Sequence, residues 1–448
     1  MGRQLSGTSM SREPLLSRRG VLQKGLTTAV GVGAMLDQGR SAIATAHDAA
    51  RSASAPIMAN MRTYPQTHTF DHMVISYMEE NHIPSAALAV LHGGKLAYLQ
   101  GYGLANQQRG SKATASTRYR IASCSKQLTA VTILKLHEAG TLDLHAAVFG
   151  PKGILKQIIP LPGTTVDPRL SQVTVTHLLQ HTGGWNRDTT FDPMFMPSAI
   201  ASAMGVPAPA SQAAILRYMI GQPLQADPGT VYNYSNFGYC VLGRVIETVT
   251  GNRQSYASYV RAATLRPLGI TRIVQGRTRL SQAAADEAFY YQSAGDPPLT
   301  PSVFPGDGLV QAPYGAFYLE AMDSLGAWVA SPLDLVRFLN AVSGRNGKPF
   351  LSQESIRLMT ARPASPVHSS PGAWYGMGWK IAESLGGQTW WHNGALDGTA
   401  AEVAIFDPAT NLQYAVVFNR LPTEQDWVSP MASALFNVKS WPLHEPLP

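Results

Sequence analysis

The stretch Arg120-Ile121-Ala122-Ser123-Cys124-Ser125-Lys126 opens a mostly apolar segment that runs to Glu138, where Ala139-Gly140 ends it. This pattern predicts a buried helix that begins near Ser123. Positions i and i+3 of a helix share one face, so the Ser123 hydroxyl and the Lys126 amine should lie side by side. A buried helix does not normally hide a lysine, because an unpaired charge is costly in an apolar environment. The pair therefore predicts a serine nucleophile with a lysine that takes up its proton.

By itself a Ser-x-x-Lys is a weak signal, and a helix cap followed by a surface lysine would look the same. A second motif, Tyr234-Ser235-Asn236, follows Pro228-Gly229 and precedes the helical pattern of residues 237–248. On a loop beside Ser123, the Tyr234 phenol could relay a proton. The Asn236 amide could orient Lys126 and a substrate amide.

The third motif is His392-Asn393-Gly394, at the end of a strand predicted over 388–392. A strand edge beside the nucleophile can align an extended substrate by β-pairing. Gly394 allows the close approach of two backbones. The Ala395 N–H could then join the Ser123 N–H in an oxyanion hole.

Periodicity outlines the rest of the fold. An amphipathic helix is predicted over 66–82, a β-hairpin over 86–100, and short helices dominate 141–330. The C-terminal part is predicted to contain a helix over 333–342, strands over 388–392, 402–406 and 413–418, and a last helix over 429–437. We therefore expect an α/β fold in which an antiparallel sheet, built from both ends of the chain and flanked by helices, carries an inserted all-helical subdomain.

Residues 17–24, Ser-Arg-Arg-Gly-Val-Leu-Gln-Lys, resemble a twin-arginine export signal, and the mildly apolar residues 25–36 follow them. That apolar stretch fits a signal peptide and is too short to span a bilayer. With Ala44-Thr45-Ala46 as a cleavage site, residues 1–46 are predicted to be a signal peptide and 47–64 a linker. The domain would then cover 65–440, with its sheet part at 65–140 and 331–440 and its helical part at 141–330. We expect an exported protein, periplasmic or secreted, without a stable membrane span once the signal is removed.

Composition narrows the function classes. The chain has 448 residues, 45% of them hydrophobic and 14% charged, with a net charge of +7. Residues 1–46 hold six basic and two acidic residues; the remainder has 29 basic and 26 acidic ones, which argues against a nucleic-acid partner. Cys124 and Cys240 are expected to be buried and cannot form a disulfide framework. His177 and His181 share a helical face, but no zinc-protease pattern surrounds them, so we expect no metal and no cofactor.

The order Ser-x-x-Lys, Tyr-x-Asn, His-x-Gly resembles the serine β-lactamase/penicillin-binding superfamily, and within it the class C β-lactamase, DD-peptidase and esterase branch. The strings that share this context are Gly101-Tyr102-Gly103, Leu178-Leu179-Gln180-His181-Thr182-Gly183-Gly184, Pro228-Gly229-Thr230 and Tyr375-Gly376-Met377-Gly378-Trp379. The resemblance implies a β-lactamase/transpeptidase-like fold and a serine hydrolase that cleaves an amide or ester bond. Ser123 would form the acyl-enzyme, Lys126 and Tyr234 would share the role of general base, and Asn236 would bind the substrate amide.

His392 occupies the position at which many of these relatives carry a lysine that helps to hold a substrate carboxylate. Histidine is a weaker and pH-dependent cation, which speaks against efficient β-lactam hydrolysis. The sequence leaves open DD-carboxypeptidase, D-aminopeptidase, esterase and β-lactamase activity on a small-molecule or peptide substrate. The alternative is a penicillin-binding sensor or binding module of the same fold that is acylated without turnover.

Overall fold

The computed structural model describes residues 57–293, 295–344, 349–364, 372–384, 387–405, 411–423, 434–435, 437–438, 440–443 and 445–447. Within this part of the chain, no helix is both long enough and apolar enough to cross a membrane. The expected signal peptide (1–46) lies outside the described residues, as do most of the expected linker and of the last helix predicted over 429–437.

A large antiparallel sheet forms the centre of the fold. Its strand order is β3-β2-β1-β13-β12-β11-β10-β9, so the first and last strands of the sheet along the chain are neighbours at its middle. The strands of the described chain are β1 Ser85–His92, β2 Lys95–Asn106, β3 Ser111–Lys112, β4 Tyr119–Arg120, β5 Val274–Gln275, β6 Thr300–Pro301, β7 Leu309–Val310, β8 Trp328–Ala330, β9 Ala373–Tyr375, β10 Lys380–Ser384, β11 Gly387–Leu396, β12 Thr399–Ile405 and β13 Gln413–Phe418.

Helices cover both faces of this sheet. They are α1 His68–Glu80, α2 Lys126–Glu138, α3 Val175–Leu179, α4 Pro197–Met204, α5 Gln212–Met219, α6 Asn236–Val249, α7 Tyr256–Val260, α8 Pro332–Ser343 and α9 Gln353–Thr360. Side chains alternate between the two faces of a strand, so β1 contributes to two separate cores. Ala87, Ala89 and Leu91 join the core that contains α2 and α8, whereas Ala86, Leu88 and Val90 join the one that contains α1. Burial on both faces explains why β1, β12 and β13 are mostly apolar, with Glu402 as a buried exception in β12.

The predicted fold class is confirmed: both ends of the domain build one antiparallel sheet with helices around it. Two details differ. The segment 141–330 is not all-helical: its short helices alternate with irregular stretches, and it also holds the short strands β5, β6, β7 and β8, of which β8 pairs with both β5 and β4. The strand that carries the third motif continues to Leu396 rather than ending at His392.

Candidate active site

Ser123 lies in a 3-10 turn, Ala122–Ser125, that leads into α2. The predicted serine is therefore one turn before the α-helix rather than at its first residue. Ala122 has φ 45°, a left-handed conformation that is unfavourable for alanine. Hydrogen bonds with one neighbouring residue hold this turn, because the Ile121 N–H donates to the Trp328 carbonyl (2.9 Å) and the Trp328 N–H donates to Ser125 Oγ (3.2 Å). Trp328 thus holds the Ser123 turn on both sides.

The Lys126 amine is fully buried, and three oxygen atoms surround it. It lies 3.0 Å from Ser123 Oγ, 2.8 Å from Asn236 Oδ1 and 3.0 Å from the Leu325 carbonyl. Burial, with a smaller contribution from the Arg187 charge, lowers the pKa of Lys126 well below its ordinary value. A neutral lysine beside a serine hydroxyl can accept its proton.

Tyr234 and Asn236 reach this lysine from the start of α6. Ser235 caps the helix, since its Oγ accepts the Gly238 N–H (3.0 Å). Tyr234 is the residue before this cap, and Asn236 is the residue after it. The Lys126 Nζ lies 4.9 Å from the centre of the Tyr234 ring. Burial raises the pKa of the Tyr234 phenol, which a hydrogen bond with Ser123 and the Arg187 charge partly offset.

Sequence reasoning missed an ion pair that supports these two residues. Asn236 Nδ2 donates to Asp192 Oδ2 (2.7 Å), and the Arg187 Nη1 lies 3.4 Å from the same oxygen. The Arg187 guanidinium also covers the Tyr234 ring, with 4.7 Å from Cζ to the ring centre. Both residues belong to the irregular segment between α3 and α4, whose local pattern gives no sign of this contact.

Strand β11 passes directly behind the Ser123 turn. A Cβ built on Gly394 would lie 2.3 Å from the Ile121 carbonyl oxygen and 2.9 Å from the Ser123 nitrogen, so only glycine fits there. Pairing with β10 ends at Lys380 opposite Trp391, and within the described chain no strand continues along that edge. Gly394 and Ala395 therefore stand at an unpaired edge beside Ser123, as the sequence predicted.

His392 is not the cation that its position suggested. It is 1% exposed, and its Nδ1 lies 2.7 Å from the Asn393 carbonyl while its Nε2 lies 2.9 Å from the Tyr375 hydroxyl. Because a carbonyl only accepts, Nδ1 carries the hydrogen and Nε2 accepts from Tyr375. Burial, together with the charges of Lys126 and Lys380, lowers the pKa of His392 well below its ordinary value. Burial and this lowered pKa favour a neutral imidazole over the pH-dependent cation that the sequence led us to expect.

From the sequence, His181 was only a residue that shares a helical face with His177, yet it lies beside the site residues. Its Nδ1 accepts the Ser235 N–H (3.1 Å), and its ring packs 4.2 Å from Tyr234 and 4.4 Å from Tyr375. Its Nε2 is buried without a hydrogen-bond partner among the described residues. Burial lowers the pKa of His181 well below its ordinary value. His181 thus links the second and third motifs as a neutral ring, a role that its place in the sequence does not indicate.

The site therefore unites the residues of all three motifs. Lys126 contacts Ser123, Asn236 and the ring of Tyr234, and His392, Gly394 and Ala395 follow on the adjoining strand. Within the described chain no group of three or more His, Cys, Asp or Glu could hold a metal ion. Cys124 and Cys240 are both buried and unbridged, and the Cys124 thiol donates to the His392 carbonyl (3.4 Å).

Known proteins resemble this chain in sequence and in fold. The chain is 28% identical over 258 residues to protein flp of Staphylococcus aureus (strain COL), covering 57% of this chain and 47% of that one. It thus spans about half the length of this relative. Penicillin-binding protein 4 of Amycolatopsis lactamdurans is 27% identical over 355 residues, covering 76% of this chain and 82% of that one.

Among solved structures, D-amino acid amidase from Ochrobactrum anthropi SV3 has the same fold. Its TM-score is 0.63 at 22% identity, and the match covers 84% of this chain and 100% of that one. The profile of the family described as Beta-lactamase matches residues 70–433, which is most of the domain. The chain belongs to the Beta-lactamase family.

Proposed function

We propose that this protein is a serine hydrolase that cleaves an amide or ester bond through an acyl-enzyme on Ser123. The observation that carries the proposal is the 3.0 Å contact between Ser123 Oγ and the buried Lys126 amine, whose pKa is depressed. Lys126, with Tyr234 beside it, takes the Ser123 proton as the hydroxyl attacks the carbonyl carbon. The same proton then passes to the leaving group, and a water molecule activated by this pair hydrolyses the acyl-enzyme.

The oxyanion of each tetrahedral intermediate needs two N–H donors. We assign them to Ser123 and Ala395, because Gly394 brings β11 against the Ser123 turn. The unpaired edge of β11 offers an extended acyl group a strand to pair with, and Asn236 is placed to hold its amide.

The neutral state of His392 narrows the substrate class. Both ring nitrogens are engaged, and Arg187 is paired with Asp192, so neither supplies a free cation for a carboxylate beside the scissile bond. We infer that uncharged leaving groups, as in small esters and amino acid amides, react faster than penicillins or D-Ala-D-Ala peptides. D-amino acid amidase, which has the same fold, bears the name of such an amide hydrolase.

The test is a substrate panel with nitrocefin, p-nitrophenyl acetate and butyrate, D-Ala-p-nitroanilide and a D-Ala-D-Ala peptide, together with labelling by a fluorophosphonate. Ser123→Ala should abolish both labelling and turnover. The matched control is Ser331→Ala, a buried serine outside the site whose Oγ caps α8 by accepting the Asp334 N–H (3.2 Å); this variant should lose stability but keep its labelling. Turnover by Ser123→Ala would refute the proposal. An acyl adduct that persists for hours by intact mass would favour the sensor module instead.

We also propose that residues 1–46 direct export. The support is the ordered series of arginine pair, apolar stretch and small-residue site in the sequence. Replacing Arg18 and Arg19 together by lysine should retain the full-length precursor in the cytoplasm, as followed by fractionation. Unchanged export of that variant would refute it.

A further inference from the structure

We propose that Arg187 and Asp192 are a positioning pair that holds the Tyr234 ring and the Asn236 amide against Lys126. The inference rests on the proposed function, since it concerns how the Ser123 machinery is kept in its reactive arrangement. Neither residue contacts Ser123 in the contacts described above, so both would act through Tyr234, Asn236 and Lys126.

Arg187 and Asp192 contact each other, and they also contact the motif residues Tyr234 and Asn236. Asp192 uses a single oxygen, Oδ2, to accept from Asn236 (2.7 Å) and to meet Arg187 (3.4 Å). The other atom of the same amide, Asn236 Oδ1, accepts from Lys126 at 2.8 Å. Asp192 therefore fixes which way the amide faces, because an amide that donates to the carboxylate on one side must present its oxygen to the lysine on the other.

Arg187 adds a second contact on the phenol. Its guanidinium lies 4.7 Å from the centre of the Tyr234 ring, and the Lys126 amine lies 4.9 Å from the same centre. The side chains of Arg187 and Asp192 are only 26% and 14% exposed, so solvent screens their charges weakly. Arg187 also meets Asp188 at 3.7 Å, a residue whose side chain is 59% exposed.

These charges act on Lys126 in opposite directions. The titratable and charged groups that face Lys126 from the surrounding elements are Cys124, Arg187, Asp192, Tyr234, Tyr239, His181 and His392. Arg187 lowers the pKa of Lys126, whereas Asp192 raises it. For Tyr234 the signs are the same: Arg187 lowers the pKa of the phenol and Asp192 raises it. Whichever of the two groups accepts the Ser123 proton, each member of the pair shifts the lowest pH at which it can do so.

The experiment measures the pH dependence of the second-order rate of Ser123 labelling by a fluorophosphonate. Arg187→Gln removes the cation and leaves Asp192 uncompensated, so the acidic limb of the profile should move up by about one pH unit. Asp192→Asn leaves the cation uncompensated, so the limb should move down by a similar amount. In the double variant Arg187→Gln/Asp192→Asn the charge is balanced, so the acidic limb should return close to that of the wild type. Its maximal labelling rate should be lower, because the contacts with Tyr234 and Asn236 are lost.

Arg279→Gln is the matched control. Arg279 also covers an aromatic ring, Phe304 at 4.2 Å, and pairs with an aspartate, Asp307 at 3.0 Å, but it has no contact with the site residues. Its profile should match that of the wild type. Arg187→Lys keeps the charge, so its acidic limb should lie close to that of the wild type. This variant also tests the inference if Arg187→Gln does not fold.

The inference is overturned if both single variants shift the acidic limb in the same direction. It is also overturned if neither variant shifts the limb, even when the labelling rates fall. Its failure is distinguishable from that of the proposed function: if wild-type Ser123 is not labelled at all, the proposed function fails. If labelling is normal but the limbs do not move, only the positioning pair fails.

Discussion

The backbone nitrogen of Ser123 lies 2.9 Å from the place where a Cβ on Gly394 would stand. Real Cβ atoms do not come this close to backbone, so the Ser123 turn and β11 are in direct backbone contact at this point. The same virtual atom would lie 2.3 Å from the Ile121 carbonyl, which belongs to a turn fixed by the Trp328 carbonyl. The close approach of the Ser123 turn to β11 thus depends on the absence of a side chain at Gly394.

Gly394→Ala should therefore separate β11 from the nucleophile and misplace the oxyanion donors. We expect the rate of Ser123 labelling to fall by about 10²–10³-fold, the typical effect of losing one oxyanion-hole donor. Gly238→Ala is the control, because a Cβ at that buried glycine of α6 would meet its nearest neighbour at an ordinary 3.6 Å. Equal rates in the two variants would contradict the assigned role of Gly394.

Lys126→Arg should inactivate the protein although it conserves the positive charge. The function we assign to Lys126 requires a neutral amine, which its depressed pKa makes available, whereas arginine stays protonated at all accessible pH values. We expect labelling to slow by about 10²–10⁴-fold, the usual contribution of a general base. A variant that keeps its labelling rate within tenfold would show that the charge of Lys126, and not its basicity, matters.

Tyr375→Phe removes the hydroxyl that donates to His392 Nε2 and leaves a buried acceptor unpaired. We expect a loss of about 1–3 kcal/mol in the free energy of unfolding, and a fall in labelling rate because the third motif is no longer held. Tyr256→Phe, which removes a buried hydroxyl from Thr129 and Trp328, should cost similar stability with unchanged labelling. If the two variants label equally well, Tyr375 has only a structural role.

Stability should also decline in mild acid. The pKa values of His181 and His392, and to a smaller extent of the half-buried His177, are lowered in the folded protein, chiefly by burial. In the unfolded chain a histidine takes up a proton near pH 6.5, so below that pH the unfolded state binds more protons. Above about pH 6.5 each of these histidines should leave the free energy of unfolding at its full value. Below that pH each should reduce it by about 1.4 kcal/mol per pH unit, until the pKa of that histidine in the folded protein is reached.

Urea unfolding at pH 7.5 and 5.5 measures this decline. His181→Asn keeps an acceptor for the Ser235 N–H but cannot be protonated, so its stability should drop less between the two pH values than that of the wild type. An identical drop in both proteins would show that His181 does not contribute.

The sequence predicted what depends on local pattern and on motif order. The helix over Lys126–Glu138, the hairpin of β1 and β2 and the apolar strands near the C-terminus follow from periodicity, and the shared order of motifs indicated that Ser123, Lys126, Tyr234 and Asn236 meet. What it could not supply depends on burial and on irregular chain. Arg187 and Asp192 come from a segment without periodicity, and the lowered pKa of His392 arises chiefly from its burial, with Tyr375 of β9 contacting it across β10.

The central pairing of the sheet carries a consequence for how this protein is made. Ala86 in β1 is opposite Phe418 in β13, and the Ser85 N–H donates to Asn419 Oδ1 (2.8 Å), a contact between residues 334 positions apart. Contacts of such long separation form late, because the intervening chain must first be ordered. When the ribosome has translated α2, which follows Ser123, the strands β11, β12 and β13 have not yet been synthesised. The proposed hydrolytic activity should therefore arise in one step, after β13 has left the ribosome, rather than gradually during synthesis.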